Sequence, residues 1–552
     1  MKKVAVVLSL VMLLSTSLFA GGGGDKAGSS GAGTGGATNS NLLSDVRVRQ
    51  AIAYAIDMDT ICNTLLLGKA VPANSLTPNG DWKVGGLNDY KYDPNKARAL
   101  LKEAKWDANR TLDVGYYYDD QQTVDLMTAV QAYLADVGIK ANFRKISGDL
   151  NTLLWLPPND PVNGPSAVDW DMLYGATAAM VLHEYYGKYA GGVSGNSHTP
   201  TDAALDKLIA ATSATADVAK QKAAFNEVQK YENQNLFAIP LYYQPLFIFS
   251  RDNVNRVGDS NGNAQYNYDW NIVNWTVTPD ASGKQILKTN SGPAQFFEYP
   301  WYNPGVYIGA KALFDRLIVA DGSLSPKEGG LAESYQVSAD NLSVTFTLRN
   351  NLKWHDGSAI TPQDIKWSVE YALKVPAIHQ VFANTFNALE GAAAFKSGAA
   401  NVSGITIDGN KITFKFATLD PNMLITFGQF PPLPQKYFQG VDPLQFQQSP
   451  YWQKPIGSGP FQVKEAKMND YIILAPFKDY YRGVAKIDEI QAYPSGENDG
   501  NLIVNANAGR IDYGYTKSSS DAIALEKIPG MKVYPVNMFY TRLFFVNKFP
   551  KK

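Results

Sequence analysis

Histidine and carboxylate side chains would build any metal or acid–base site in this chain, and their spacing gives little support for one. The chain has only four histidines in 552 residues. His183-Glu184 begins like the zinc motif H-E-x-x-H, but the second histidine is absent. Asp259 opens a stretch similar to a calcium loop, but Ala264 stands where that loop requires glycine. We therefore expect no metal site and no cofactor.

Motifs for phosphate binding and nucleophilic catalysis fail in the same way. Gly457-Ser-Gly459 is followed neither by a third spaced glycine nor by a Lys-Ser/Thr pair. Gly258-Asp259-Ser260-Asn261-Gly262 fits the letters G-x-S-x-G, but it lies in the polar connector, where no strand-to-helix turn is predicted. Carboxylates are abundant, 51 in all, but nothing in the sequence brings a particular pair together. We expect no enzyme activity. A secreted carbohydrate-active hydrolase, with aromatic platforms and two carboxylates, stays as the alternative of another class.

Aromatic side chains offer a different chemistry. The chain has 31 Tyr, 25 Phe and 10 Trp, and the Tyr and Trp side chains combine an apolar face with a polar tip, which suits a broad pocket that stacks on its ligand. The net charge of −1 shows no basic excess and argues against a nucleic-acid partner. Cys62 is the only cysteine, so an internal disulfide is excluded and a buried, inert thiol is expected.

The amino-terminal residues carry an export pattern. Residues 1–20 place Lys2-Lys3 before a short apolar core, as in a signal peptide, and that core is too short for a membrane-spanning helix. Residues 21–40 form a Gly/Ser-rich flexible leader that cannot bury a core. Gly21 stands where a lipid-modified cysteine would be, so the sequence does not support a lipid anchor.

The first folded module, residues 41–240, is predicted to be rich in helices. Apolar positions recur on one helical face from 123 to 137, and a strand is predicted at 139–146. Ser44 and Asp93 are predicted N-caps of two further helices, because their short polar side chains can accept a backbone N–H.

The second module, residues 285–552, is predicted to be richer in strands, and it follows a return strand and polar connector at 241–284. Ser343–Leu348 alternates β-forming residues at a period of two. Thr361 precedes Pro362 as the N-cap of a helix. A chain of 552 residues exceeds a single hydrophobic core, so two large lobes are expected.

Several segments together resemble one family. The run from Leu331 to Leu373, LAESYQVSADNLSVTFTLRNNLKWHDGSAITPQDIKWSVEYAL, is similar to the signature of the family 5 extracellular solute-binding proteins, and Pro455–Phe461 and Asp45–Asp57 agree with it. The resemblance implies an α/β fold of the type II periplasmic-binding-protein kind. In that fold two lobes, each with mixed sheets flanked by helices, are joined at a hinge.

The order of the modules differs from the family order. The segment containing Asp45–Asp57 comes late in the family, and here it comes first. The resemblance therefore implies a circular permutation in which Lys552 would precede Asn41. We expect the rearrangement to cut one lobe-to-lobe crossing, between Phe549 and Leu43, and thus to loosen the hinge and weaken binding.

The resemblance also implies a function. We expect a monomeric, periplasmic or extracytoplasmic substrate-binding protein that delivers a solute, in first place an oligopeptide, to an ABC permease by hinge closure. The alternative within the family is a cellobiose-like oligosaccharide. Peptide-binding relatives hold the ligand amine with an acid in the loop after the W-D-M strand, and Glu184 is the only acid of that loop here.

The ligand is expected to lie between the lobes. The predicted ligand-binding residues of the larger lobe are Phe297, Trp301, Tyr302, Tyr513, Tyr515, Tyr540 and Arg542. Those of the other lobe are Trp170, Tyr174, Glu184 and Tyr185.

Overall fold

The computed structural model describes residues 42–118, 120–191, 198–257, 271–291, 300–302, 312–320, 326–327, 329–376, 378–467, 469–494, 500–536 and 540–551. The predicted signal peptide, the leader and Phe297 lie outside these residues. Across the described part of the chain, no helix combines the length and the apolar character that crossing a membrane requires.

The first part of the chain is rich in helices, as predicted. Its helices are α1 (Val46–Ala55), α2 (Met58–Thr64), α3 (Pro94–Glu103), α4 (Gln121–Asp136), α5 (Leu150–Trp155), α6 (His183–Tyr186), α7 (Ala203–Thr212) and α8 (Val218–Asn235). Its strands are β1 (Val71–Pro72), β2 (Thr111–Tyr116), β3 (Lys140–Lys145), β4 (Met172–Ala178) and β5 (Ala238–Tyr243). Asp93 caps α3 as predicted. Asp45 caps α1 in place of the predicted Ser44, because its carboxylate accepts the Arg47 N–H.

The second part is richer in strands. These are β6 (Leu246–Arg251), β7 (Val254–Asn255), β8 (Thr276–Val277), β9 (Ile286–Ser291), β10 (Val319–Ala320), β11 (Pro326–Lys327), β12 (Ala332–Val337), β13 (Ser343–Leu348), β14 (Ile405–Asp408), β15 (Lys411–Lys415), β16 (Phe461–Lys467), β17 (Tyr471–Pro476), β18 (Glu489–Pro494), β19 (Tyr513–Thr516), β20 (Met531–Val536) and β21 (Tyr540–Val546). The helices are α9 (Pro362–Ala372), α10 (Gln380–Asn387), α11 (Ala392–Lys396), α12 (Met423–Gln429), α13 (Gly500–Asn507) and α14 (Ser519–Glu526). Thr361 caps α9 as predicted, in a capping box with Asp364.

Two large mixed sheets organise the fold. A six-stranded sheet has the order β1-β5-β21-β4-β2-β3, in which β2 runs parallel to both β3 and β4. A seven-stranded sheet has the order β16-β17-β18-β9-β19-β6-β20, and a separate four-stranded sheet contains the predicted β12–β13 hairpin. The predicted α/β class, with mixed sheets flanked by helices, is confirmed.

The last strand, β21, belongs to the sheet of the first module. It pairs antiparallel with β4 on one side and with β5 on the other. Phe544 and Val546 point into the apolar cluster that contains α1 and α4, whereas Leu543 and Phe545 point into the cluster on the opposite face. We call residues 42–243 and 540–551 the smaller lobe, and residues 246–536 the larger lobe. The predicted assignment of 540–552 to the larger module is therefore wrong.

Among the described residues, the chain passes from one lobe to the other at two places. One runs from β5 to β6, between Tyr243 and Leu246, and the other leads from Val536 of β20 to Tyr540 of β21. Both ends of the described chain lie in the smaller lobe, where Leu43 is buried in the core. The predicted cut through a crossing is therefore wrong, and the looser hinge that it implied loses its basis.

The two end segments meet at the carboxyl end of α8. The Arg49 guanidinium donates to the carbonyl oxygens of Leu43 at 2.7 Å and Asn235 at 3.0 Å. The Lys548 ammonium donates to the carbonyl oxygen of Phe237 at 2.6 Å. The segments before α1 and after β21 are thus held to the same turn of the chain.

Candidate functional site

A group of aromatic and polar side chains lies where the crossings join the lobes. We call it the hinge cluster, and it consists of Tyr117, Tyr118, Tyr174, Tyr242, Gln244, Tyr540 and Arg542. Tyr117 and Tyr118 directly follow β2, and Gln244 lies within the first crossing. Because β2 and β4 are parallel, their carboxyl ends meet at one edge of the sheet, and open α/β sheets bind ligands at such an edge.

Arg542 lies at the centre of the hinge cluster. Its guanidinium carbon is 4.3 Å from the ring centroid of Tyr118, 5.1 Å from that of Tyr540 and 5.6 Å from that of Tyr174. These distances are within the range of cation–π attraction. The Arg542 Nε donates to the Gln244 side-chain oxygen at 2.6 Å.

The positive charge of Arg542 is not neutralised within the described part of the chain. Among the described residues no carboxylate forms an ion pair with it, and its Nη1 is buried without a hydrogen-bond acceptor. An arginine stays protonated under all ordinary conditions. A buried N–H without an acceptor is costly, so this nitrogen favours the arrival of an anionic or strongly polar group.

Tyrosine hydroxyls connect the rings around Arg542. The hydroxyl oxygens of Tyr117 and Tyr118 are 3.1 Å apart, those of Tyr118 and Tyr540 are 3.5 Å apart, and those of Tyr174 and Tyr242 are 2.8 Å apart. Burial raises the pKa of Tyr242 to about 12. The same cause raises the pKa of Tyr118, so these hydroxyls remain neutral hydrogen-bonding groups at neutral pH.

The larger lobe reaches the hinge cluster through Lys517. Its ammonium lies 5.3 Å from the ring centroid of Tyr540, and its backbone oxygen accepts a hydrogen bond from the Gln244 amide nitrogen at 3.2 Å. The larger lobe therefore contacts the hinge cluster, as is required of a site between two moving lobes.

Three predicted ligand residues, Tyr174, Tyr540 and Arg542, come together in the hinge cluster. The sequence reasoning missed Tyr117, Tyr118, Tyr242 and Gln244. A signal for two of them was present, because the run Tyr116-Tyr117-Tyr118 stands at the end of a predictable parallel strand. Gln244 could not be found in this way, since its role depends on the position of the crossing.

Other predicted residues lie in the protein core. Trp301 is fully buried, stacks on Phe430 and Phe446 at centroid distances of 4.8 and 4.9 Å, and donates its indole N–H to the Pro431 oxygen at 2.7 Å. This packing corrects its predicted place in the cleft, since no face of the ring is open to a ligand.

Trp170 and Tyr185 are also fully buried, both in a core cluster of the smaller lobe. Tyr513 and Tyr515 on β19 are buried in the larger-lobe core, and Tyr513 contacts Trp275 at 5.1 Å. The structure thus places these four outside the hinge cluster. Tyr302, which follows Trp301, is half-buried.

The Glu184 carboxylate is hydrogen-bonded to backbone groups of the turn in which it lies. Its Oε2 accepts the backbone N–H of Met180 at 2.6 Å and of Val181 at 3.2 Å. The carboxylate therefore caps the chain that follows β4, and this role explains an acid at that position without a ligand amine. Burial lowers the pKa of nearby Lys188 to about 8, an effect that Glu184 partly offsets.

The histidines are spread over separate environments. Within the described residues, no group of three or more His, Cys, Asp or Glu side chains is placed to hold a metal ion. His198 packs against Trp170 in the smaller lobe, and His355 accepts the Gly457 N–H in the larger lobe. Burial lowers the pKa of both imidazoles to about 4, so both stay neutral.

A polar groove of about 470 Å³ lies beside the end of β5. Its lining comes from the single loop 74–89, and Lys83 of this loop lies 4.7 Å from the ring centroid of Tyr243. The groove belongs to one lobe only, so it does not have the two-sided character of the hinge cluster.

Comparison with protein families gives a match in both modules. The model described as "Bacterial extracellular solute-binding proteins, family 5 Middle" matches residues 24–197 and 328–550, which together make up more than half of the chain.

Curated relatives match over shorter segments. A putative ABC transporter peptide-binding protein of Brucella ovis is 28% identical over 195 residues, which is 34% of this chain and 34% of the relative. A nickel-binding protein of Staphylococcus aureus is 25% identical over 225 residues, or 41% and 40% of the two chains. The dipeptide-binding protein of Escherichia coli is 42% identical over 73 residues, or 13% and 14%. The chain thus spans about a third of the length of the first of these relatives.

Solved structures match over less than half of the chain. An ABC transporter substrate-binding protein of Listeria monocytogenes is 25% identical with a TM-score of 0.34, covering 41% of this chain and 44% of that one. An oligopeptide-binding protein of Bacillus subtilis, solved with a nonapeptide, is 22% identical with a TM-score of 0.36, covering 44% and 46%.

Proposed function

Since the chain belongs to family 5 of the bacterial extracellular solute-binding proteins, we propose that it captures a solute, in first place an oligopeptide, and delivers it to an ABC permease. The family consists of binding proteins, so the expectation of a non-enzyme is confirmed and the hydrolase alternative is set aside. The observation that carries the proposal is the hinge cluster, in which Arg542, without a counter-charge among the described residues, lies among tyrosine rings between the lobes.

Hinge closure is the proposed mechanism. In the described part of the chain, the crossings at 243–246 and 536–540 are covalent links about which the lobes can rotate. A ligand that touches Tyr118 of one lobe and Lys517 of the other gains contacts only when the lobes are close. Such a ligand shifts the equilibrium towards the closed state by its difference in affinity for the two states.

The charge of the hinge cluster favours a peptide over the oligosaccharide alternative. Tyrosine rings suit the stacking of either ligand, but a neutral sugar would leave the Arg542 charge without a counter-ion. A peptide carboxylate can pair with a guanidinium through charge-assisted hydrogen bonds. The names of the matched relatives, which include peptide-binding, dipeptide-binding and nickel-binding proteins, point in the same direction without fixing the ligand.

The proposal includes the permuted order of modules. It is supported by the module order in the sequence and by the contacts of Arg49 and Lys548 with the same turn at the end of α8. A short link could therefore join the two end segments without disturbing either crossing. Joining residue 552 to residue 41 and reopening the chain near Lys284 should preserve the fold, and ligand affinity should be unchanged because the hinge is the same in both forms.

Thermal unfolding in the presence of defined ligand pools tests the proposed function. Residues 21–552 would be heated with a pool of tetrapeptides that lack Asp and Glu, prepared once with free carboxylates and once as carboxyl-terminal amides, and with cello-oligosaccharides. A ligand that binds only the folded protein raises its melting temperature by mass action. We expect a rise with the free peptides, a smaller one with the amides and none with the sugars. A rise with the sugars alone would replace peptide by oligosaccharide, and no rise with any pool would overturn the proposal.

A further inference from the structure

Residues 179–184, which we call the strap, lead out of β4 and face both lobes. Ala179 and Leu182 belong to a buried cluster of the smaller lobe. Met180 and Val181, which are 1% and 5% exposed, belong instead to the buried cluster of the larger lobe. A short segment of one lobe therefore inserts two apolar side chains into the core of the other.

Polar contacts fix the strap in this position. The His183 Nε2 is 3.0 Å from the backbone oxygen of Thr212, which can only accept, so Nε2 carries the proton. The Nδ1 atom is then an acceptor and lies 3.2 Å from the side-chain nitrogen of Asn422 in the larger lobe. Asn422 precedes α12 without capping it, so its amide is available for this contact.

The strap is also braced internally. The Glu184 carboxylate accepts the N–H groups of Met180 and Val181, which removes the cost of burying those donors unpaired. Its turn is therefore already formed when it meets the larger lobe. Pre-organisation of this kind lowers the entropy lost on docking.

We propose that the strap is a latch that holds the lobes closed before any ligand binds, so that a ligand must wait for the latch to open. The contact is made by residues of this chain alone. The inference concerns the two-lobed hinge of the proposed function, but it does not depend on the identity of the ligand. The latch therefore affects the binding rates: its opening limits the rate of ligand association, and its closure over a bound ligand slows dissociation.

Interlobe distances in the unliganded protein test the latch directly. Spin labels would be placed by Val218→Cys with Leu444→Cys, whose native side chains are 64% and 68% exposed. A second pair, Val162→Cys with Val504→Cys, reports on another direction of movement. The native Cys62 is buried and is not expected to react. We expect one narrow distance distribution for each pair without ligand.

The strap variant Met180→Ala/Val181→Ser should add a longer distance to at least one pair. Loss of this apolar burial should lower the ratio of closed to open molecules by about tenfold or more. Leu182→Ala is the matched control, because it removes a buried side chain that faces the smaller lobe. It should lower the melting temperature and leave both distances unchanged.

Two results would overturn the latch. One is a broad or long distance distribution in the unliganded wild-type protein, and the other is a strap variant whose distances equal those of the wild type in both labelled pairs. Neither result bears on the peptide-pool experiment, so failure of the latch and failure of the proposed binding function are distinguishable. The conservative variant Met180→Leu/Val181→Ile should keep the wild-type distances.

Discussion

Two of the places where the lobes meet, the hinge cluster and the strap, have opposite character. The hinge cluster is polar and lies where the chain passes between the lobes, and among the described residues its Arg542 has no counter-charge. The strap contacts the larger lobe non-covalently through apolar side chains, and its backbone N–H groups at Met180 and Val181 are hydrogen-bonded to Glu184. This difference suggests two tasks. The hinge cluster, with its unsatisfied arginine nitrogen, is suited to recognise a ligand, and the strap, with its hydrogen bonds already made, is suited to set the resting position of the lobes.

The largest effect that separates the two regions is expected from Arg542→Gln. Removing one member of a buried charge pair between binding partners costs about 2–5 kcal/mol, so affinity for the free-carboxylate peptides should fall by about 100-fold. Isothermal titration with the peptide pool measures this loss. Distances between the labelled lobes of the unliganded protein should not change.

Arg144→Gln is the matched control for the hinge variant. Arg144 pairs with Asp113 at 2.8 Å on the smaller lobe and lies outside both regions. Its replacement should leave peptide affinity unchanged. An equal loss in both variants would show that the effect of Arg542→Gln is not specific to the hinge cluster.

The strap variant should have the opposite signature. Met180→Ala/Val181→Ser is expected to change ligand affinity little, because the strap stabilises the closed form both with and without ligand. Association should become faster, because a larger fraction of the unliganded protein is open. Stopped-flow binding of the peptide pool measures both rates. A slower association in the variant would contradict the latch.

Most of the fold could be predicted from the sequence, because the helix and strand periods are local properties. The N-cap at Thr361 and the hairpin before it follow from short runs of residues. The place of β21 could not be predicted in the same way. Its apolar run suits either sheet, and only pairing with β4 and β5 decides between them.

The site was predictable only in part, for a related reason. Trp301 and Arg542 were both predicted to bind ligand from their residue types. In the structure the Trp301 N–H is satisfied in the core, whereas one Arg542 nitrogen has no acceptor among the described residues. Satisfaction of polar groups depends on neighbours that are distant in sequence. Glu184 shows the same limit, because its partners are the backbone N–H groups of its own turn.

Acid is expected to weaken the strap moderately and leave the hinge cluster unaffected. Burial lowers the pKa of His183 from 6.5, so the closed state disfavours its protonation. The stabilisation is complete above pH 6.5 and is lost as the pH falls below that value. Burial raises the pKa of the neighbouring Asp420, so the closed state favours its protonated form. Protonation of Asp420 at lower pH therefore offsets part of the loss caused by His183. Glu184 faces the same contact and also stabilises protonated His183.

Distance measurements at pH 7.5 and 5.5 check this expectation. The longer distance should gain population at the lower pH in the wild-type protein. His183→Gln keeps an acceptor for Asn422 but does not titrate, so its distances should not respond to pH. A response of the same size in this variant would show that the pH effect does not come from His183.

The smallest effect is expected from Glu526→Gln, which tests whether any contact between the lobes would serve as a latch. Lys69 of the smaller lobe and Glu526 of the larger lobe form an ion pair at 2.7 Å, with side chains 26% and 42% exposed. Exposed pairs of this kind contribute about 0–1 kcal/mol and are screened by salt. The variant should therefore change the interlobe distances little, and less at high salt than at low salt. If Glu526→Gln opened the lobes as far as the strap variant does, closure would depend on the sum of weak surface contacts, and the burial of Met180 and Val181 would lose its special role.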